Sequence, residues 1–339
     1  KIIKNSYSTG EQIAVIFDPS NFTKEKLSVS DYQFSADESK LLLASETEAI
    51  YRHSSRSNYY IYSITNSTLS PLTDFSKGKQ RLAEFSPSGD KVAFVRKNNL
   101  FSVENGVETQ ITSDGETNKI INGATDWVYE EEFAFVRAFE WNSTGDYLAF
   151  LRFDETEVPT FSMDMVGKDL YPDQQVFKYP KAGEKNADVT LHMYTLSSKN
   201  TKKISLGDYE YIPRIKWSND ADILVATTLN RHQNNLKLHK VDALKSSVTL
   251  LLNETDKAYI DITDNLTFLA DNSFIWTSEK DGYNHIYHYN FSGKLINQVT
   301  KGNWEVTKYY GFNENKKTIY YQSVENGSIN RGVYSISLK

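Results

Sequence analysis

The sequence predicts an all-β fold, a β-propeller of four-stranded blades, and three observations lead there. Among 339 residues Tyr (22) and Phe (18) are abundant, as are Thr, Val and Ile, the types that fit a pleated, half-buried surface. Long stretches with the 3.6-residue period of an amphipathic helix are hard to find. The third observation is a phrase that returns six times: an aromatic or apolar pair, a polar turn, then an apolar strand.

In chain order the copies are YQFSADESKLLLAS from Tyr32, AEFSPSGDKVAFVR from Ala83, FEWNSTGDYLAFLR from Phe139, RIKWSNDADILVATT from Arg214, TFLADNSFIWTSE from Thr267 and YGFNENKKTIYYQS from Tyr310. Each reads as strand, tight Ser/Asn/Asp/Gly turn, strand. A third strand rich in Tyr and Ile follows most copies, as in YYIYSIT from Tyr59, NLFSVEN from Asn99 and NHIYHYN from Asn284, and a polar turn with a fourth strand often comes after it. Copies recur every 40 to 55 residues or so, with two longer intervals. That spacing suits blades better than sandwich strands, which return every ~8 to 12 residues. A pair of β-sandwiches with similar turns is the competing fold, but it gives no reason for six copies in one order. The count is six blades and a partial one at residues 1 to 30, about seven in all, within one propeller domain over 1–339.

The segment from Asp154 to about Asp188 breaks the period inside one blade and carries prolines at 159, 172 and 180. It also holds Phe161, Met163, Met165, Tyr171, Phe177 and Tyr179, a high apolar content for a solvated loop. The segment either packs on another subunit or folds as a hairpin on its own blade.

Composition excludes several function classes. The net charge of -6 is mild, and basic residues are scattered, so nucleic acid is not an expected partner. No apolar run approaches the ~18 residues of a membrane span, and Lys1 opens straight into strand-like sequence, so the chain reads as soluble. There is no cysteine, which removes disulfides, thiolate metal sites and a cysteine nucleophile together. The six histidines, at 53, 192, 232, 239, 285 and 288, show no metal-ligand spacing. A G-x-S-x-G elbow, an H-E-x-x-H helix and a phosphate-binding Gly loop are missing as well. No catalytic residue, metal site or cofactor is therefore expected in this chain. Seven N-x-S/T sequons occur, the third at Asn142, a number that an Asn- and Thr-rich chain produces by composition.

The clearest chemical feature is the acidic run Asp126-Trp127-Val128-Tyr129-Glu130-Glu131-Glu132. Asp126 suits the N-cap of a short helix, with the glutamates in its first turns. On a strand Glu131 and Glu132 would face opposite sides, whereas on a helix they lie roughly 100° apart and can converge on one cation. Two close carboxylates disfavour each other's charge until a cation arrives. A primary ammonium, with three donors, fits them better than a metal. A solvated acidic turn at a blade rim is the plainer alternative. Arg52, beside His53 and Arg56, is a surface arginine by default, although its planar fork could hold a peptide carbonyl or a carboxylate.

The run DWVYEEE resembles the double-glutamate motif of the dipeptidyl peptidase IV family, a branch of the prolyl oligopeptidase group of serine exopeptidases. YRHS from Tyr51, ETEVP from Glu155, YPKAG from Tyr179, DGYNHIY from Asp281 and KGNWEV from Lys301 agree with it in the same order. The similarity covers roughly residues 30 to 335. It implies an eight-bladed N-terminal propeller over a C-terminal α/β-hydrolase domain that holds Ser, Asp and His and releases Xaa-Pro or Xaa-Ala dipeptides from peptide amino termini. Hydrolase sequence is not found before Lys339, so the chain reads as a fragment that is inactive alone.

Carried over residue by residue, Glu131 and Glu132 match the glutamates that hold the substrate's amino terminus, and Arg52 matches the arginine on the dipeptide's backbone carbonyl. Glu130 is the less favoured partner. Tyr259 is the one aromatic candidate for the specificity pocket in a stretch that departs from the animal members. The resemblance makes 154–188 a dimerising arm and gives the expected partners: a peptide with a free amino terminus, the hydrolase domain of the same protein, and a second subunit. Location is expected to be periplasmic or extracellular. The rival reading is a non-catalytic propeller that binds a protein or glycan.

Overall fold

The computed structural model describes residues 1–24 and 27–338. The described residues form antiparallel sheets in chain order, and they divide into two compact units, 1–203 and 204–339.

In the first unit a two-stranded hairpin (Ile2–Asn5, Gln12–Phe17) precedes two four-stranded meanders. The first meander runs Val29–Phe34, Lys40–Ala49, Ser55–Ser63, Thr68–Pro71, and the second runs Arg81–Phe85, Lys91–Arg96, Asn99–Glu104, Val107–Gln110. In the second unit Tyr211–Trp217, Ile223–Leu229, Asn235–Asp242 and Ser247–Thr255 make one meander, and Thr267–Phe268, Phe274–Ser278, His285–Tyr289 and Leu295–Gln298 the next. A three-stranded sheet, Val306–Asn313, Thr318–Ser323 and Gly332–Ser337, closes the described chain. Five of the six repeat phrases supply the first two strands of a sheet, and the Phe139 phrase supplies a paired hairpin that follows a short first strand, Ile120–Asn122; the four-stranded meander is the repeating unit of a propeller.

Burial explains the apolar runs. Leu41, Leu42 and Leu43 are all buried although neighbours on a strand point to opposite faces. Leu41 and Leu43 pack with Ile2, Phe17, Tyr60 and Tyr62. Leu42 packs the other way, with Phe85, Val92, Phe94, Phe101 and Val103 of the next meander. A middle strand covered on both faces reads as continuous hydrophobicity, not alternation. In the second unit Ile275, Ile286, Val306, Ile319 and Tyr321 form the corresponding cluster.

Turn chemistry sets the register. Gly89 sits at φ +69, and a Cβ there would come within 3.1 Å of Ser35 Cβ, so glycine answers both the backbone and the packing. Asn142, in the third phrase, is fully buried, and its Oδ1 accepts from the backbone N–H of Asp146 and Tyr147, each at 2.9 Å. That sequon is a turn device, closed to glycosylation in the folded chain.

The third sheet of the first unit departs from the meander. Its long strands Tyr147–Asp154 and Asp188–Thr195 pair in register, and Asn200–Ile204 follows. The other edge of Tyr147–Asp154 is covered in two pieces: Ile120–Asn122 pairs with Arg152 to Asp154, and Phe139–Trp141 pairs with Leu148 to Phe150. Between the pieces the chain leaves the sheet and forms helix α1, Trp127–Glu132. Within 154–188 the strands Thr160–Met165 and Asp173–Lys178 make a separate hairpin.

Phe94 carries a prediction. It is fully buried, stacks on Phe101 at 5.3 Å between ring centroids, and lies under the Arg96 guanidinium. In urea denaturation Phe94→Ala should remove about 3–5 kcal/mol of stability. A loss below about 1 kcal/mol would contradict the two-face packing of this strand.

Candidate functional site

The site grows from the start of α1. Asp126 is its N-cap, with Oδ1 accepting from Tyr129 N–H at 2.9 Å. The helix is one and a half turns long and has a buried face, so its stability comes from packing rather than propensity. Tyr129 is 1% exposed and meets Phe133 and Phe153 edge-on, each at 4.9 Å. Trp127 lies on the hairpin: its ring is 4.4 Å from Tyr179 and 6.2 Å from Phe177. Phe177 in turn contacts Tyr51 and Phe161. The base of the 154–188 segment is thus held on its own unit by aromatic packing, while Val166, Leu170 and Tyr171 at its tip are exposed.

The three glutamates have three environments. Glu130 is 1% exposed. Its Oε1 accepts from two successive backbone groups, His53 N–H at 2.7 Å and Ser54 N–H at 3.0 Å. Glu131 is half-buried, and its Oε1 lies 3.4 Å from Arg52 Nε. Glu132 is exposed and makes no ion pair among the described residues. The structure therefore brings Arg52 and Glu131 together and puts Glu132 on the open side of the same helix. The Arg52 side chain is 74% exposed, so the pair itself contributes only about 0–1 kcal/mol. An exchangeable partner is what a site for an incoming cation requires.

Behind this pair the environment is charged and dry. Arg81 immediately precedes a strand irregularity whose Leu82 sits at φ 58, a left-handed conformation that a bulky residue adopts rarely. Burial lowers the Arg81 pKa, and the nearby Glu130 carboxylate opposes that shift. Its Nε and Nη2, like Glu130 Oε2, are buried without a hydrogen-bond partner. Tyr51, Arg81, Thr125 and Glu155 line a cleft of about 500 Å³. Burial, then the neighbouring Glu155 carboxylate, pushes the Tyr51 hydroxyl up to about 12.

Sequence reasoning set Glu130 aside and did not find Arg81 or Glu155. Helical spacing held a signal for Glu130, which is four residues after Asp126 and three before Phe133 and so shares their inward face. Arg81 carried no signal, since a strand bulge aims it. Tyr259 lies in the second unit, half exposed, beside a cleft of about 380 Å³ that Glu254, Asp256, Asp261, Glu279 and Glu305 also line. Burial, then Asp261 and Glu305, raises the Glu279 carboxyl. Among the described residues no cluster of His, Cys, Asp or Glu could hold a metal ion, and no helix is long and apolar enough to cross a membrane.

Two buried acids give the site a pH signature. Burial raises Asp126 from 3.8 to about 6. Burial, with Asp126 as a second cause, raises Glu155 from 4.5 to about 7. The native chain then binds more protons than the unfolded chain between these limits, so the stability from these groups is full at low pH and is lost as pH rises through 6 to 7. A glutamine at 155 has no charge to bury. E155Q should gain on the order of 2 kcal/mol relative to wild type between pH 5 and pH 8. A gap between the two proteins that is constant with pH would contradict the assignment.

Comparison with known proteins places this chain in a family. Residues 35–339 match the family described as the dipeptidyl peptidase IV N-terminal region. A probable dipeptidyl peptidase 4 of Aspergillus flavus is 32% identical over 327 residues, spanning 91% of this chain and 42% of that protein. The dipeptidyl peptidase 4 of Trichophyton tonsurans is 34% identical over 324 residues, with the same coverage. The crystal structure of Porphyromonas gingivalis dipeptidyl peptidase 4 superposes with a TM-score of 0.92 at 39% identity, covering 99% of this chain and 48% of that one. The chain thus spans less than half the length of the relatives it matches. It belongs to the dipeptidyl peptidase IV N-terminal region family, and its all-β fold is that of the family's N-terminal propeller.

Proposed function

We propose that this chain is the substrate-gating, amino-terminus-recognising propeller of a serine dipeptidyl aminopeptidase that releases Xaa-Pro and Xaa-Ala dipeptides. One observation carries the reading. Glu131, half-buried, faces the exposed partner Arg52, and Glu132 follows on the open side of the same short helix. A peptide ammonium offers three donors to two carboxylates, and Arg52, released from Glu131, is free to donate to the backbone carbonyl of the first residues. An internal peptide segment brings no ammonium and would leave the carboxylates desolvated and unpaired, an error that binding sites reject strongly.

Fixing the amino terminus sets a length, so only the second peptide bond reaches the nucleophile. That nucleophile, with its Asp and His, belongs to a C-terminal α/β-hydrolase domain of the same protein, and residues 1–339 alone are inactive. The 154–188 segment is the arm through which two subunits associate. Its exposed tip, with Val166, Leu170 and Tyr171, is of the kind that marks an interaction surface. The protein works in the periplasm or outside the cell.

In the full-length protein Glu131→Ala, Glu132→Ala and Arg52→Ala should each lower kcat/KM for dipeptide release by about one to two decades. Unaltered dipeptide release by the glutamate variants would overturn the reading.

A further inference from the structure

We infer that Glu130, the member of the acidic triplet hidden from solvent, is the positioning residue that holds the Arg52 loop against helix α1, so that Arg52 and Glu131 form one site. The inference rests on the function proposed above and deepens it.

Arg52 sits in a short connection between the strands Lys40–Ala49 and Ser55–Ser63. The connection is closed by Ile50 N–H donating to Ser54 O at 2.8 Å, and by Tyr51 N–H donating to Ser54 Oγ at 3.3 Å. Nothing in those two bonds orients the connection toward α1, which lies more than seventy residues away in sequence. The Glu130 carboxylate does so. Its Oε1 takes the N–H groups on the two residues that follow Arg52, at 2.7 and 3.0 Å. Successive backbone N–H groups converging on one oxygen make an anion-binding concavity. Here the anion comes from the protein, from the residue just before Glu131.

The anchoring carboxylate is buried where Arg52 is exposed. Glu130 is 1% exposed, whereas the Arg52 side chain is 74% exposed. The two bonds to Glu130 Oε1 are shielded from solvent, so they hold the loop when Arg52 changes partner. Arg81 completes the device. It lies within electrostatic reach of Glu130 and supplies the opposite charge that a buried carboxylate needs. The acidic triplet thus divides its labour: Glu130 fixes the backbone of the opposing loop, and Glu131 and Glu132 meet the ligand.

Two variants of the full-length protein separate geometry from charge. Glu130→Asp keeps the charge but withdraws the oxygen by a methylene, out of reach of the two N–H groups. The pair R81M/E130Q keeps an oxygen in place and removes both buried charges, leaving no unpaired cation. For a substrate with a free amino terminus, E130D should lower kcat/KM about tenfold, and R81M/E130Q should stay within about threefold of wild type. Because Glu130 acts through Arg52, E130D made on top of R52A should cost less than about a further threefold. The inference is overturned if E130D matches wild type, if R81M/E130Q falls as far as E130D, or if the full tenfold loss persists in the R52A background. R52A and Glu131→Ala alone serve as references. If neither lowers kcat/KM, the proposed function fails and the inference with it; if both do and E130D does not, the positioning role alone is lost.

Discussion

Between Asn122 and Phe139 the edge of the strand Tyr147–Asp154 is covered by two short segments instead of one continuous strand. The break is closed by backbone bonds: Gly123 N–H donates to Leu151 O at 3.0 Å, Leu151 N–H to Ala138 O at 2.8 Å, and Ala138 N–H to Gly123 O at 3.1 Å. These bonds carry the sheet's backbone pairing across the break, so the residues between can leave it. That release allows a helix in a chain otherwise built of strands. Gly123 takes φ +75 at the break, where a Cβ would come within 3.0 Å of Leu100 Cδ1, so the exit point is fixed by packing as well as by conformation. Everything at the candidate site follows from it: the Asp126 cap, the buried Tyr129, and three consecutive glutamates turned toward three environments.

The surroundings of that helix show how a buried acid is accommodated in different ways. Glu130 has two backbone donors and a cation close by. Asp126 has one backbone donor and is buried, and Glu155 is buried beside it, so both carboxyls are raised. The same sheet break therefore yields one carboxylate anchored by donors and two whose charge the fold resists. Aromatic packing covers the group from the other side, where Trp127 meets Phe177 and Tyr179 of the hairpin. Insertion and helix pack together, although the sequence between them runs through two strands, Phe139–Trp141 and Tyr147–Asp154.

The sheets were legible in the sequence because each depends on local chemistry. A Ser/Asn/Asp/Gly turn between two apolar strands needs no distant partner to be recognised, and all six phrases from Tyr32 to Tyr310 became a hairpin of paired strands. Helix α1 was legible for the same reason, from a capping aspartate and from spacing. The resemblance pointed to Arg52, Glu131 and Glu132, and the fold brings the first two within 3.4 Å. The role of Glu130 lay outside sequence reasoning because its donors are backbone groups of a loop over seventy residues earlier, and backbone N–H groups leave no mark in side-chain identity. Arg81 was hidden by a strand irregularity, and the raised pKa of Glu155 by burial, which only tertiary packing creates.

The account rests on the claim that the acidic helix reads a positive amino terminus. The most direct measurement is calorimetric titration of the full-length protein, its nucleophile inactivated, with one peptide in free and N-acetylated form. Acetylation removes the charge and two donors and leaves the rest of the peptide unchanged. The free peptide should bind at least about tenfold more tightly. Equal affinity for the two forms would contradict the account.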